Sequence, residues 1–217
     1  MIGDLLPDVV ATEVAYDDPP KARLEPAEEA VIAKAVDKRR REFTTVRHCA
    51  RTALARLGVP YRPLVPGLRG APSWPDGVVG SLTHCDGFRG AAVARAGSLA
   101  SVGIDAEPAL PLPEGVLDAI ALPVEQRRLA DLAAGHPGTP WDRMLFSAKE
   151  SVYKAWFPLT GLFLEFSEAE LDISPDGTFT ARLLVPGPVV GGRRLDGFDG
   201  RWAVRGGLIA TAIAVEP

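Results

Sequence analysis

Val102-Gly103-Ile104-Asp105-Ala106-Glu107-Pro108 is the stretch whose reading decides the fold. It reads as the end of a buried strand, because Leu99, Val102 and Ile104 are apolar and Pro108 has no amide hydrogen to extend a ladder. Side chains alternate faces along a strand, so Asp105 and Glu107 point the same way. Two carboxylates on one face repel unless a cation lies between them. A hard divalent ion such as Mg²⁺ is the natural partner, since it takes oxygen ligands and keeps positions open for water and phosphate oxygens. Two solvated acids at an exposed strand end would have the same spelling. The balance tips with a second stretch, Phe146-Ser147-Ala148-Lys149-Glu150-Ser151-Val152-Tyr153-Lys154-Ala155-Trp156, which adds another acid and a lysine one helical turn on.

The bulk properties bound the answer. A chain of 217 residues is one large domain or two small lobes, with ample length for a core. Its 47% hydrophobic and 24% charged residues are ordinary for a globular protein. A net charge of −4 argues against coating nucleic acid, and no apolar run is long enough to span a bilayer. The acidic Met1–Asp8 segment has no basic leader. Cys49 and Cys85 sit in different motifs, which fits reduced thiols in a cytoplasmic protein better than a disulfide framework.

Residues 1–24 read as an irregular arm or an edge strand. Pro26 with Glu28-Glu29 starts a helix that runs into Lys38-Arg39-Arg40-Arg41, where bases suit a C-terminus. Four in a row exceed what capping needs, and phosphate is the obvious further client. A second helix is expected from Thr45 to about Leu57, stopped by Gly58, with Arg47 and Arg51 on one face. A Pro- and Gly-rich loop, residues 60–75, carries Arg69. Residues 78–83 and 90–95 read as strands with His84 and Cys85 at or between their ends.

After the acidic strand, Pro108, Pro111 and Pro113 form a joint, and the halves are expected to be residues 1–108 and 109–217. Helices follow near 116–121 and 124–134. The next is expected to use Thr139 as N-cap, Pro140 as first residue and Asp142 in a capping box, and to end at Pro158. Leu145, Ala148, Val152 and Trp156 make its apolar stripe. Arg143, Ser147, Glu150 and Lys154 lie nearly opposite, with Glu150 and Lys154 spaced for a surface ion pair. Residues 169–173, 179–184, 200–204 and 208–215 read as strands, with turns at Pro175-Asp176-Gly177 and Arg205-Gly206-Gly207. Gly80–Ala94 and Gly200–Ala214 share a strand, turn and small-residue strand, a weak internal repeat that suits two related lobes with a cleft between them.

Taken together, Lys38-Arg39-Arg40-Arg41-Glu42-Phe43, Val46-Arg47-His48-Cys49-Ala50-Arg51, Gly80-Ser81-Leu82-Thr83-His84-Cys85 and the two acidic motifs resemble the 4′-phosphopantetheinyl transferases. The likeness is to the enterobactin-synthetase D group with its actinobacterial relatives, and it spans about residues 25–165. It implies an α+β fold of two similar lobes related by a pseudo-twofold, antiparallel sheets packed with helices, and a cleft holding coenzyme A and Mg²⁺ or Mn²⁺. The implied activity is of the holo-[acyl-carrier-protein] synthase type. It moves the phosphopantetheine of coenzyme A to a serine of an apo acyl or peptidyl carrier protein and releases adenosine 3′,5′-bisphosphate. An internal pseudo-dimer needs no second subunit, so a monomer is expected.

Carried over onto this chain, Asp105, Glu107 and Glu150 match the metal carboxylates and Lys154 the lysine near the pyrophosphate. Arg39 and Arg47 match nucleotide-contacting arginines, and His84, beside Thr83, the histidine at the 3′-phosphate. The segment Pro66-Gly67-Leu68-Arg69 matches a nucleotide-contacting loop, where relatives can carry a lysine in place of Pro66, and Arg69 is then the loop's only cation. Ala106 stands where some relatives have an acid, so water is expected to complete the metal shell. The residue chemistry agrees: a serine hydroxyl needs a base, for which Glu150 is the candidate, and Lys154 can assist the leaving group. The same acids would serve a Mg²⁺-dependent pyrophosphohydrolase. The apolar segment Phe157–Leu164 speaks for a docking carrier protein instead, since water needs no docking surface.

Overall fold

The computed structural model describes residues 1–217. In the N-terminal part, Ala11–Ala15 (β1), Val78–Cys85 (β2) and Phe88–Arg95 (β3) form an antiparallel sheet in the order β1-β3-β2, so the arm does contribute an edge strand. Pro26–Val31 (α1) is short. The 20-residue helix Asp37–Arg56 (α2) buries Phe43, Val46, Ala50 and Leu54 against β1 and β3.

The long helix corrects the boundary expected at Thr45. The break falls earlier, where Ala35 N–H closes a turn on Ile32 O, and no Gly or Pro interrupts the chain from Asp37 to Arg56. The basic block therefore lies at the positive end of a helix, where the dipole disfavours it. Its charges are met from outside. Lys38 lies 3.6 Å from Asp86, Arg41 lies 3.5 Å from Asp18, and Arg40 donates to Ile32 O at 2.8 Å. Only Arg39 is left facing the cleft described below.

The strands Ser101–Pro108 (β4), Ala169–Ile173 (β5), Thr178–Leu183 (β6), Gly197–Arg205 (β9) and Leu208–Val215 (β10) make a second antiparallel sheet, in the order β4-β10-β9-β6-β5. Val189–Val190 (β7) and Arg193–Arg194 (β8) form a small hairpin too short to leave a periodicity. Because β4 pairs along its whole length with β10, the division between sheets falls ahead of β4, at residues 96–100, rather than after Pro108. Hydrogen bonding, not proline content, sets sheet membership.

Helices Val116–Ile120 (α3) and Pro123–Gly135 (α4) lead into Trp141–Thr160 (α5). Thr139 does not cap α5. Pro140 precedes the first turn, and Asp142 accepts the Leu112 N–H at 2.8 Å, pinning the proline-rich joint to the helix. Nor does Pro158 end it. The helix runs on to Gly161, whose left-handed φ of 66° supplies the stop, with Gly161 N–H on Phe157 O at 2.8 Å. A proline in the last turn forfeits only one bond, so Gly161 is the effective terminator.

Helix α5 has two working faces. Leu145, Ala148, Val152 and Trp156 join a 19-residue core with β5, β6 and β10. The opposite face lies on β4. Gly103 permits that approach, because a Cβ there would strike the Ser151 carbonyl and the Ala155 backbone. The outer edge of β4 meets β2 without a ladder: Ile104 N–H donates to Ser81 Oγ and Ala106 N–H to Thr83 Oγ1, each at 3.1 Å. A second core runs through this seam, with Phe88 and Ala92 from β3, Val102 and Ile104 from β4, and Leu208 and Ala210 from β10. No helix is long and apolar enough to cross a membrane.

Candidate active site

The seam between β4 and α5 concentrates the polar chemistry. Asp105 is buried and takes three donors: Thr83 Oγ1 at 3.1 Å, Ser147 Oγ at 2.9 Å and Lys154 Nζ at 2.7 Å. Glu107, two residues on, accepts from Arg143 Nη1 at 3.0 Å. Both acids thus face α5, as alternation along β4 requires, and the stripe Arg143, Ser147, Lys154 is the one that meets them. Arg143 also donates to Leu110 O and Pro111 O, so it ties Glu107 to the joint. The single proton of Ser147 goes to Asp105. Thr211, opposite Asp105 on β10, touches the hydroxyls of both Ser147 and Ser151.

In front of this seam lies a cavity of about 430 Å³ between α2, β2 and the 66–74 loop on one side and α5 on the other. Arg39, Arg47, Arg69, His84, Glu150 and Lys154 all line it. These residues span over a hundred positions in sequence and were expected together. Arg47 is buried, donates to Leu64 O at 3.2 and 3.3 Å, and stacks 3.5 Å from the Phe43 ring centroid. Arg39 donates to His84 Nε2 at 2.6 Å, and Arg69 lies over the Phe163 ring at 4.6 Å. Arg69 is the one non-glycine residue with left-handed φ, 53°, a strain that surrounding structure must hold.

The charges are out of balance in an informative way. Burial pulls the Arg47 guanidinium down to about 10, which still leaves it cationic at neutral pH. None of Arg39, Arg47 and Arg69 has a carboxylate within pairing distance, although the chain makes fifteen other pairs, Lys154 with Asp105 among them. A buried guanidinium at Arg47 without an acid, with the exposed Arg39 and Arg69 at the same cavity, favours an anionic ligand. On the other wall, burial and the nearby Asp105 charge raise the Glu150 carboxyl, opposed by Lys154. Burial, then Asp105, does the same to Glu107.

Not every expected residue reaches the cavity. Asp105 and Glu107 stand behind Lys154 and Arg143. Thr83 is buried, with its hydroxyl spent on Asp105 and the Ala106 amide, and Gly70 rather than Gly67 lines the wall. Residues that sequence reasoning left without a task are Arg143 and Ser147, which hold the acids, and Glu28. Glu28 is buried and accepts the Leu64 N–H at 2.9 Å and the Tyr61 hydroxyl, anchoring the loop that carries Arg69. The spacing of Arg143 and Ser147 from Lys154 was the available signal.

No three carboxylate, imidazole or thiol groups close around a common point. The donor set nonetheless fits a hard ion. Mg²⁺ binds through one or two carboxylates plus phosphate and water rather than in an all-protein cage. Two acids here are held towards their neutral forms by burial and by a third acid, which is the electrostatic condition that a cation relieves.

Acid-free arginines, a histidine and a lysine around one cavity, with a carboxylate free of ion pairs on its wall, are the groups that suit a phosphorylated ligand. Comparison with known proteins narrows this. Residues 27–94 match the model of the 4′-phosphopantetheinyl transferase N-terminal domain, and residues 101–202 that of the 4′-phosphopantetheinyl transferase superfamily. The interval between the two matches falls just ahead of β4, where the sheets divide. The chain is 67% identical to 4′-phosphopantetheinyl transferase Svp of Streptomyces mobaraensis, over 99% of this chain and 89% of that protein. It is 49% identical to 4′-phosphopantetheinyl transferase PptT of Mycobacterium tuberculosis, over 99% and 98%. Enterobactin synthase component D of Escherichia coli is 35% identical over 58% of this chain and 59% of its own length. The chain belongs to the 4′-phosphopantetheinyl transferase superfamily. Its activity is transfer of the phosphopantetheine arm of coenzyme A to carrier proteins.

Proposed function

We propose that coenzyme A lies in the 430 Å³ cavity with its nucleotide phosphates against Arg39, Arg47, Arg69 and His84, and its pyrophosphate towards Lys154. The supporting observation is that this one cavity gathers cations lacking acid partners together with an unpaired Glu150. Thr83 serves the nucleotide end indirectly, through the seam it builds with Asp105, and Gly67 through the turn it closes with Ala71 O at 2.7 Å. Asp105, Glu107 and Glu150 would hold Mg²⁺, or Mn²⁺, which when bound supplies neutralisation of the pyrophosphate charge. Glu150 takes the proton of the carrier serine, directly or through one water, because it has no hydrogen bond or ion pair to satisfy it. Lys154 stabilises charge on the departing adenosine 3′,5′-bisphosphate.

The acceptors are acyl and peptidyl carrier domains, so the enzyme is of the holo-carrier-protein synthase type acting in the cytoplasm. The docking surface is the end of α5 with the segment after it. Leu162 and Phe163 are 62% and 45% exposed, and Leu68 faces solvent across the cavity mouth. The two long helices, α2 and α5, each laid on an antiparallel sheet, support a pseudo-twofold between halves and a catalytic unit complete in one chain.

The test is a panel of apo carrier proteins incubated with enzyme, coenzyme A and Mg²⁺ and read by intact mass. Gain of one phosphopantetheine arm is expected, and its loss with Asp105→Ala. Nucleotide release in the absence of any carrier would mean hydrolysis instead.

A further inference from the structure

Glu42 lies on α2 between Arg41 and Phe43, nearly buried, and makes no hydrogen bond. Its charged neighbour is the His84 ring, with Oε2 3.7 Å from Nδ1, close enough for attraction but beyond a hydrogen bond. On the ring's other side Arg39 Nη1 lies 2.6 Å from Nε2. A guanidinium has only donors, so Nε2 must accept and the ring proton sits on Nδ1, facing Glu42. Arg39 and Glu42 are three residues apart on α2, the spacing that puts two side chains on one face. Of the charges that act on the ring, Arg39 from α2, Lys154 from α5 and Arg89 from β3 are positive, and Glu42 alone is negative.

We propose that Glu42 is a positioning residue for His84. It holds the neutral Nδ1–H ring in the free enzyme and supports a second proton, at Nε2, when a nucleotide phosphate draws Arg39 away. The ring then meets the anion as a cation. The new N–H bond takes its proton from solvent, and nothing else is exchanged. The idea rests on the reading that His84 faces a phosphate of coenzyme A. Burial and Arg39 keep the free ring below the ordinary histidine range, so it starts neutral at pH 7 and has a proton to gain.

Two measurements test it. Nitrogen-15 NMR of the three histidines in the free enzyme should show His84 as the Nδ1–H tautomer. Its pKa should fall by about one unit in Glu42→Gln, the size of a part-screened charge at this distance. Calorimetry with adenosine 3′,5′-bisphosphate in buffers of different ionisation heat should show proton uptake by the parent. Uptake should be lost and affinity weakened about tenfold in Glu42→Gln, and both retained in Glu42→Asp. An unchanged His84 pKa, or undiminished uptake in Glu42→Gln, overturns the proposal. Failure of the bisphosphate to bind the parent would refute the phosphate reading, while the free-enzyme titration would still decide what Glu42 does.

Discussion

Lys154 Nζ donates to Asp105 Oδ1 at 2.7 Å and leaves Glu150, one turn earlier on the same helix, without an ion pair. Sequence spacing suggested the opposite, an i, i+4 pair on a solvated face. The more deeply buried carboxylate wins: Asp105 has lost almost all of its water, whereas Glu150, half-buried on the cavity wall, has lost only part of it. The outcome is a fixed acid behind the lysine and a free one beside it.

Replacing Lys154 by Met should therefore cost stability as well as activity. Asp105 would keep Thr83 and Ser147 but lose its only cation. Lys154 is partly solvated, so a loss of about 1–3 kcal/mol is expected from urea denaturation. Adding Asp105→Asn should restore part of it.

Glu150→Gln should separate chemistry from folding. No hydrogen bond is lost, so the unfolding free energy from urea denaturation should stay within about 0.5 kcal/mol of the parent. Transfer to a carrier protein, followed by intact mass, should slow about 10²–10⁴-fold.

Leu162→Ser should raise KM for the carrier protein about tenfold with KM for coenzyme A unchanged, since an exposed apolar contact is removed outside the cavity. Equal rises in both constants would place docking elsewhere.

Gly103→Ala should lower Tm sharply. Its methyl group would meet backbone atoms of Ser151 and Ala155, which cannot turn aside as a side chain can, so about 1–3 kcal/mol or more is expected.

Acid should weaken the sheet edge at Glu170, on β5. Its hydrogen bond from Arg182, and then that from Arg128, hold its carboxyl below the usual glutamate range. A depressed carboxyl stabilises the folded state above the unfolded pKa, and that contribution fades as pH falls through the lower folded value. Glu170→Gln should cost up to about 1 kcal/mol at pH 7 by urea titration, and the difference should close as pH falls below the ordinary glutamate range.

Much of the site was readable because its signals are periodic. Alternation placed Asp105 and Glu107 on one face, and a helical repeat aligned Arg143, Ser147 and Lys154. Element ends were read less well. The helix dipole favours bases at a C-terminus, but that preference is worth only tenths of a kcal/mol, and at the N-terminal end of α2 Asp86, Asp18 and a carbonyl outweigh it. Pro158 has the spelling of a helix stop, but Gly161 provides it. The Thr139 cap failed because Asp142 had a partner in Leu112, thirty residues away.

By itself the sequence determined which side chains share a face and which chemical types are present, since both follow from local backbone geometry and composition. Tertiary structure alone decided who pairs with whom: Lys154 with Asp105, Arg143 with Glu107, β4 with β10 rather than with its own N-terminal neighbours. Such pairings depend on which groups lose water together, and that is settled only when distant segments pack.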